Sequence, residues 1–272
     1  MMQPMDGAGM EKLLITATLA NSWMFPDERN WATTPGELAD DAAECSDAGA
    51  AIVHVHLPRG NESKVVDLIR GRCNAIIQAG MSSDAIESRI GDFEARPDMM
   101  SVILNHHAEH FTQVDMDRLH TLEELERYCV LGKKYGIKPE WEVWHTGSLW
   151  NLRYLIGKGL LEGPHVLTLF FDWPGGIWSP ATADEYLHRV KYIPENCVHT
   201  ISVMSERQTL IATLAIAMGG NVRAGTEDFP FLMPGVKARN NAEIVQRIVR
   251  LAKEMGREVA TAEEARRMLN VK

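Results

Sequence analysis

The chain has 272 residues, of which 45% are hydrophobic and 24% are charged, so it is long enough to bury one large core and has an ordinary globular composition. Its net charge of −9 argues against a general nucleic-acid surface, although a few local cations could still bind an anionic ligand. No apolar run reaches the ~18 residues that a membrane span requires. Residues 1–11 lack the regions of a signal peptide and are expected to form a loose tail. We therefore expect neither a nucleic acid nor a membrane as a partner.

Cysteine usage points to a reducing compartment. The four cysteines, Cys45, Cys73, Cys129 and Cys197, show no CxxC spacing, and each lies in or beside an apolar helix or strand pattern. Buried, reduced thiols are typical of intracellular proteins, so we expect the protein to be cytoplasmic.

The first half of the chain alternates strand patterns with capped helices. Thr34-Pro35-Gly36-Glu37 is a helix start, with a Thr N-cap, Pro at the first helical position and Glu at the capping-box position. Gly49 ends that helix. The predicted strands are residues 12–20, 50–57, 99–105 and a weak segment at 76–79, and the predicted helices are residues 34–47, 63–77, 84–90 and 121–136.

The second half repeats this alternation. Its predicted strands are residues 137–144, 165–171, 198–204 and 221–226, and its predicted helices are residues 148–156, 182–190, 207–218, 241–255 and 261–269. Strands separated by helices imply βα units and a parallel sheet. About eight units in a chain of this length favour a closed (β/α)8 TIM barrel, as a single α/β domain over residues 12–272, over an open doubly wound sheet. No Gly-rich loop follows the first strand, so a dinucleotide fold has little support.

A pair of histidines in the second strand is the first chemical signal. Residues 50–57 are mostly apolar and β-branched, which is typical of a buried strand. His54 and His56 are two residues apart, so they project to the same face. Two imidazoles at that spacing can hold one metal ion. The alternative is a pair of core histidines, each hydrogen-bonded to a neighbour. Because both project from one face at the C-terminal end of the strand, we favour the metal.

Other candidates follow from the fold. In a (β/α)8 barrel the active site lies at the C-terminal ends of the strands, so polar residues there are candidate site residues. They are Asn105, His106, His107, Glu142, His145, Asp172, Ser205, Arg223, Glu227 and Asp228. Taken singly, most of them would be solvated loop residues or helix caps.

The last predicted strand and the turn after it carry a stronger functional signal. Arg223 falls inside an otherwise buried strand, and a buried guanidinium needs a carboxylate partner. Adjacent Glu227 and Asp228 point in different directions, so one can bind a metal while the other pairs with Arg223 or takes a substrate proton. His54, His56 and Glu227 would form a His₂Glu set, the pattern of a catalytic zinc with an open position. The structural alternative is a buried Arg–Asp pair that ties the barrel closed.

Five stretches of the sequence carry a resemblance to a known family. They are Thr34-Pro35-Gly36-Glu37 at the first helix start, GAAIVHVH at residues 49–56, IKPEWEV at 137–143, GGNVRAGTED at 219–228 and NAEIV at 241–245. On these stretches the chain resembles the β-keto acid cleavage enzyme family over most of its length.

That resemblance implies a zinc-dependent (β/α)8 barrel that forms a homo-oligomer, a dimer or a tetramer. Such an enzyme reacts a β-keto acid with acetyl-CoA, giving acetoacetate and a new CoA thioester. By the same resemblance, the metal ligands are His54, His56 and Glu227, and the catalytic residues are Asp228 as general base, Arg223 and Glu142.

The loops expected to contact the substrate differ from those of the family. Trp23 stands where the family has a glutamate after the first strand, and the loops that contain Ser82 and Asn105-His106 replace small polar loops. We assign these four residues to substrate binding. Trp144, Trp173 and Trp178 also fall near the predicted mouth and favour a bulky or apolar side group on the substrate, although core packing is the commoner use of tryptophan.

Two other functions are compatible with the sequence. One is a metal-dependent hydrolase or lyase of the amidohydrolase type, in which His145 and Asp228 would supply further ligands. Against it, a full βα unit precedes His54, and His165 begins its strand at the wrong end of the barrel. The other is a catalytically inactive barrel that senses a keto acid or acyl ligand, which the altered loops permit.

Overall fold

The computed structural model describes residues 11–20, Phe25, 32–110 and 115–272. Eight parallel strands are β1 (Ile15–Thr18), β2 (Ile52–Val55), β3 (Ile76–Ala79), β4 (Met99–Ile103), β7 (Lys138–Val143), β8 (His165–Phe171), β9 (Cys197–Val203) and β10 (Asn221–Gly225). They close into a barrel in the order β1-β10-β9-β8-β7-β4-β3-β2. The predicted (β/α)8 TIM barrel is therefore confirmed.

Helices alternate with these strands. They are α1 (Pro35–Ala48), α2 (Glu62–Arg70), α3 (Ile90–Ala95), α4 (Leu122–Tyr135), α5 (Ser148–Gly157), α6 (Ala183–Lys191), α7 (Gln208–Ala217), α8 (Asn241–Glu254) and α9 (Ala262–Leu269). Two antiparallel pairs decorate the C-terminal end, β5 (His106–His110) with β6 (Asp115–Leu119) and β11 (Phe231–Met233) with β12 (Val236–Lys237).

The helix signals read from the sequence are present in the structure. The Thr34 hydroxyl accepts from the Glu37 amide while the Glu37 carboxylate accepts from the Thr34 amide, which completes the predicted capping box of α1. Gly49 follows α1 at φ 116°, in the left-handed region that favours glycine. Gly136 ends α4 in the same way, at φ 72°.

Two predicted elements were wrong. The helix predicted over residues 63–77 ends at Arg70, because the amides of Arg72 and Cys73 both turn back to the Ile69 carbonyl. The β-branched pair Ile76-Ile77 then belongs to β3. The segment after β4, expected to be a loop, forms the β5–β6 hairpin, whose polar, His-rich sequence gave no strand signal.

The barrel interior is layered. Along each strand, side chains alternate between the outside and the inside of the barrel. Those that point outward pack with the helices in the apolar core. At the N-terminal end an apolar floor fills the interior, made of Leu14, Ile52, Ile76, Met99 and Val166, with α9 packed beneath it. Above the floor the inward side chains are polar and buried: Thr16, His54, Gln78, Ser101, Glu140, Glu142, Thr168, Thr200, Ser202 and Arg223. Polar chemistry is therefore concentrated toward the C-terminal mouth.

The cysteines do not form disulfides. All four are free thiols, as predicted, but only Cys45 and Cys129 are buried, while Cys73 and Cys197 are half-buried. Within the described part of the chain, none of the helices combines the length and apolar character needed to cross a membrane.

Candidate active site

Three predicted metal ligands meet at the mouth of the barrel. His54 is the next-to-last residue of β2 and His56 follows the strand, whereas Glu227 lies just beyond β10. Strand β1 lies between β2 and β10. One ligand atom of each residue lies within 4.8 Å of the others. The Nε2 atoms of His54 and His56 lie 3.5 and 3.4 Å from the two oxygens of Glu227. Among the described residues, this is the group of histidine, cysteine and acidic side chains that could hold a metal ion.

The chemistry of these three donors fits a cation. Burial lowers the pKa of His54 to about 3, so its imidazole is neutral at pH 7 and has a lone pair to give. Burial pushes the pKa of Glu227 upward, but Arg223 and the two histidines push it down further, so this carboxylate stays ionised. Its Oε2 is buried and accepts no hydrogen bond, which is costly unless a cation meets it. The site therefore fits a divalent metal such as zinc.

Gln78 on the neighbouring strand β3 and Gly80, just after that strand, shape this site. The Nδ1–H of His54 donates to the Gln78 side-chain oxygen at 2.8 Å, which leaves Nε2 as the free donor atom. Gly80 lies under both rings: a Cβ there would sit 2.1 Å from Cδ2 of His56 and 2.8 Å from Nε2 of His54. A glycine is therefore required for the imidazoles to approach each other.

Asp228 and Arg223 form a buried pair beside the three candidate metal ligands. Arg223 Nη2 lies 2.9 Å from Oδ1 of Asp228 and 3.1 Å from Oε1 of Glu227. The Ser202 hydroxyl donates to Asp228 Oδ2 at 3.0 Å. Burial raises the pKa of Asp228, with Glu227 adding to the rise and Arg223 opposing it. A carboxylate held in place with a raised pKa is suited to accept a proton.

Close packing and hydrogen bonds fix the turn that carries Glu227 and Asp228. Gly225 packs against β1 so closely that a Cβ would lie 2.2 Å from the Thr18 hydroxyl oxygen. The next amide, of Thr226, donates to the Asn241 side chain at 2.8 Å, and the Thr226 hydroxyl donates to the Ala20 carbonyl at 3.1 Å. Glu227 and Asp228 are thus presented by a fixed turn.

Glu142 lies on β7 and belongs to a separate hydrogen-bonded set. It accepts from the indole N–H of Trp144 at 3.1 Å and from the side chain of Ser82. Burial raises the pKa of Glu142, while Arg223 opposes the rise. Glu140 lies one inward position deeper, and burial together with the charge of Glu142 raises its pKa to about 8.

The other predicted substrate-binding residues are placed differently. Ser82 contacts Glu142, as described above. Asn105 sits at the start of the β5–β6 hairpin at φ 87°, and its carbonyl accepts from the His120 amide. His106 lies on the hairpin, where its half-exposed ring pairs with Asp117 at 2.5 Å. Trp23 lies outside the described residues.

Several candidates from the strand ends have structural partners. Both oxygens of Asp172 are used, by the Ala181 amide and by the Ser205 hydroxyl. His165 is the first residue of β8, at the N-terminal end of the barrel, and neither it nor His145 belongs to the metal-ligand group of the described residues. The ligand arrangement of an amidohydrolase is therefore not formed.

An aromatic wall occupies the other side of the mouth. We use this name for Trp144, Phe170 and Trp173 with Ile103 and Met204, which form a cluster of their own. The Trp144 and Phe170 rings stack with centroids 4.7 Å apart, and Trp173 meets both edge-on. The Arg223 guanidinium lies 5.2 Å from the centroid of the Phe170 ring, so the wall is in direct contact with the charged groups.

Two buried arginines hold the strand ends that carry the site. Arg89 donates to the carbonyl of Gly80 at 2.7 Å. Arg189 donates to the carbonyls of Val143 and Phe170, at 2.6 Å for Phe170. Each arginine thereby fixes backbone next to a site residue.

Some residues of the site that the sequence analysis did not identify nevertheless have a signal in the sequence. Gln78 is a lone polar residue in an apolar strand, and Glu140 shares the inward alternation of Glu142. Ser202 alternates with Ile201 and Val203 in the same way. The two buried arginines had no local signal, because each acts on backbone of a different element.

The chain is similar to known proteins over most of its length. The sequence model of the beta-keto acid cleavage enzyme family matches residues 12–271. A 3-keto-5-aminohexanoate cleavage enzyme of Fusobacterium nucleatum is 31% identical over 97% of this chain and 99% of its own length. A 3-dehydrocarnitine:acetyl-CoA trimethylamine transferase of Rhizobium meliloti is 28% identical over 88% of this chain and 89% of its own length.

A solved structure, the binary complex of ObcA with oxaloacetate, has the same fold. It superimposes with a TM-score of 0.72 at 17% sequence identity and covers 89% of this chain and 67% of its own chain. At that identity the likeness supports the barrel alone.

Proposed function

This chain belongs to the beta-keto acid cleavage enzyme family, and we propose that it is a zinc-dependent, carbon–carbon bond-cleaving acyltransferase that uses acetyl-CoA. It converts a β-keto acid and acetyl-CoA into acetoacetate and a new acyl-CoA. The observation that carries this proposal is the convergence of His54, His56 and Glu227 beside a pinned Asp228.

The three metal ligands would hold a zinc ion, which when bound supplies a Lewis acid for the keto and carboxylate oxygens of the substrate. Asp228 takes the proton from the carbon between these two groups. Its raised pKa brings it closer to the operating pH than an ordinary aspartate, whose pKa is ~3.9. Arg223 and Ser202 keep the Asp228 carboxylate in one orientation.

The net exchange balances without any further reactant. The deprotonated carbon forms a bond to the acetyl carbon and CoA leaves as a thiolate. That thiolate then attacks the original keto carbon, and the bond between this carbon and the carboxylate-bearing carbon breaks. Acetoacetate leaves after the carbon regains a proton, which Asp228 returns. Ser82 and Trp144 donate to Glu142 and hold its carboxyl group in a fixed position on β7.

We also propose a homo-oligomer, a dimer or a tetramer, located in the cytoplasm. Large apolar side chains are exposed on three successive helices, including Trp150 on α5, Leu187 on α6 and Leu210 on α7. An exposed apolar surface of this kind favours burial against another copy. The free thiols favour a reducing compartment.

The test is acetoacetate release from acetyl-CoA with a panel of β-keto acids, before and after treatment with a zinc chelator. We expect release on at least one member, loss on chelation and recovery when zinc is restored. The Glu227→Gln variant, which keeps the size of the side chain, should lose zinc and activity together. Zinc-loaded protein that releases no acetoacetate across the panel would contradict the proposal and favour a ligand sensor.

A further inference from the structure

The aromatic wall faces the metal ligands across the barrel. In the closed strand order β8 is four strands from β2 in either direction, so Phe170 on β8 and His54 on β2 lie on opposite sides of the mouth. A substrate whose keto and carboxylate oxygens lie at the charged side must extend the rest of its chain across this opening. That remainder therefore meets the wall.

The wall offers apolar surface and no charge. Its members are buried, and none carries an ionisable group. The indole N–H of Trp144 already donates to Glu142. The His107 ring packs edge-on against Trp144 at 4.3 Å and covers the wall on its hairpin side. The five side chains of the wall offer a charged side group no ionic partner in return for its lost hydration.

The neighbouring charges disfavour both kinds of ionic side group. Aromatic faces can bind cations, but the Arg223 guanidinium already lies over Phe170, and its charge repels a second cation. An anionic side group would lie near the Glu142 carboxylate, and the nearby Arg223 guanidinium already pairs with Asp228 and Glu227. Glu142 already accepts from Trp144 and Ser82, so it is not a free partner for a cation. An uncharged group avoids both penalties and gains contact with the rings.

We propose that the aromatic wall is the specificity determinant of this site, and that it selects β-keto acids whose side group beyond the keto carbon is an uncharged alkyl or aryl group. This inference rests on the proposed function, since it names the substrate class of the same site. It assigns Trp173 and Met204 to side-group recognition, because both pack in the wall with Trp144 and Phe170.

The first experiment uses four β-keto acids that share one head and end in an alkyl, aryl, ammonium or carboxylate group. Acetoacetate release with acetyl-CoA gives kcat/KM for each on the zinc-loaded enzyme. We expect the alkyl and aryl members to exceed both charged members by at least about tenfold, the scale of a few methylene contacts in an apolar pocket. Preference for the ammonium or the carboxylate member would overturn the inference while leaving the proposed function intact.

A matched pair of tryptophans sharpens this test. Trp173 is 5% exposed and belongs to the wall, whereas Trp178, on the same loop, is 55% exposed. Trp173→Leu should raise KM for the aryl member about tenfold with little change in kcat, because the lost contact is made equally in the ground and transition states. Trp178→Leu should leave the ranking unchanged. A Trp173→Leu enzyme with the wild-type ranking would overturn the inference.

Two further measurements cover the remaining outcomes. If Trp173→Leu does not fold, Met204→Gln replaces an apolar wall side chain of similar length by an amide, and it should weaken the alkyl and aryl members selectively. Isothermal titration calorimetry with the same four acids ranks the side groups even without turnover. Tight binding of alkyl and aryl acids without acetoacetate release would uphold the wall and reject the proposed reaction. Equal binding of all four would reject the wall.

Discussion

The two sides of the barrel mouth are built on different principles. On the charged side, polar atoms of His54, Arg223 and Asp228 have fixed partners at hydrogen-bonding distance. On the aromatic side, Trp144, Phe170 and Trp173 are held by ring packing. Directional bonds tolerate little change, whereas packed apolar surfaces accept substitutes of similar volume. Changes on the charged side should therefore affect every substrate, and changes on the aromatic side should affect the choice among substrates.

The largest effect is expected from Asp228→Asn. The amide keeps the shape of the side chain but cannot take a proton, so kcat should fall about 100- to 10,000-fold for every side group. Zinc content, measured by atomic absorption, should stay at the wild-type level because Asp228 is not one of the grouped metal ligands. A fall in kcat for only one class of substrate would contradict the claim that changes on the charged side affect every substrate.

Gly80→Ala should come next. Its Cβ would lie 2.1 Å from the His56 ring, so the two imidazoles must move apart and zinc affinity should fall about 100-fold. Competition with a fluorescent zinc chelator measures this affinity. Gly157→Ala is the matched control, since a Cβ there meets nothing within 4 Å. Unchanged affinity in Gly80→Ala would show that the metal does not lie between these rings.

A smaller effect is expected from Gln78→Met. Methionine removes the oxygen that accepts from His54 Nδ1, so the ring loses its fixed tautomer and zinc affinity should fall about tenfold. Gln78→Glu keeps an acceptor at this place and should retain wild-type affinity or exceed it. If both variants bind zinc equally, Gln78 serves packing alone.

The smallest effect on activity, but a clear one on stability, is expected from Glu140→Gln. The folded-state pKa of Glu140 is raised to about 8, above its value in the unfolded chain, so the unfolded state releases this proton first. Stability therefore falls as the pH rises between about 4.5 and about 8. Glu140→Gln removes this penalty, and its unfolding midpoint should exceed that of the wild type most at the alkaline end.

Urea unfolding at several pH values measures the Glu140 effect, with exposed Glu94→Gln as the control. A gain for Glu140→Gln that is the same at pH 5 and pH 8 would mean that Glu140 is ionised in the folded protein.

Much of this site was predictable because its signals are local. The spacing of His54 and His56 places them on one face of one strand, and Arg223, Glu227 and Asp228 lie within six residues. The hairpin at His106 could not be predicted in the same way, since its pairing depends on residues that carry no strand pattern. The role of Gln78 depends on a partner 24 residues away in the chain.

Periodicity, capping and spacing act over a few residues, so the alternation of strands and helices, their caps and the residue types at each strand end could be predicted from the sequence. Which of those strand ends meet depends on the fold of the whole chain. Barrel closure pairs β1 with both β2 and β10, which brings Glu227 to the two histidines and leaves Arg223 between Asp228 and the Phe170 ring. The physical reason is that closure requires every strand to take its place in the ring, a condition that no single stretch of sequence contains.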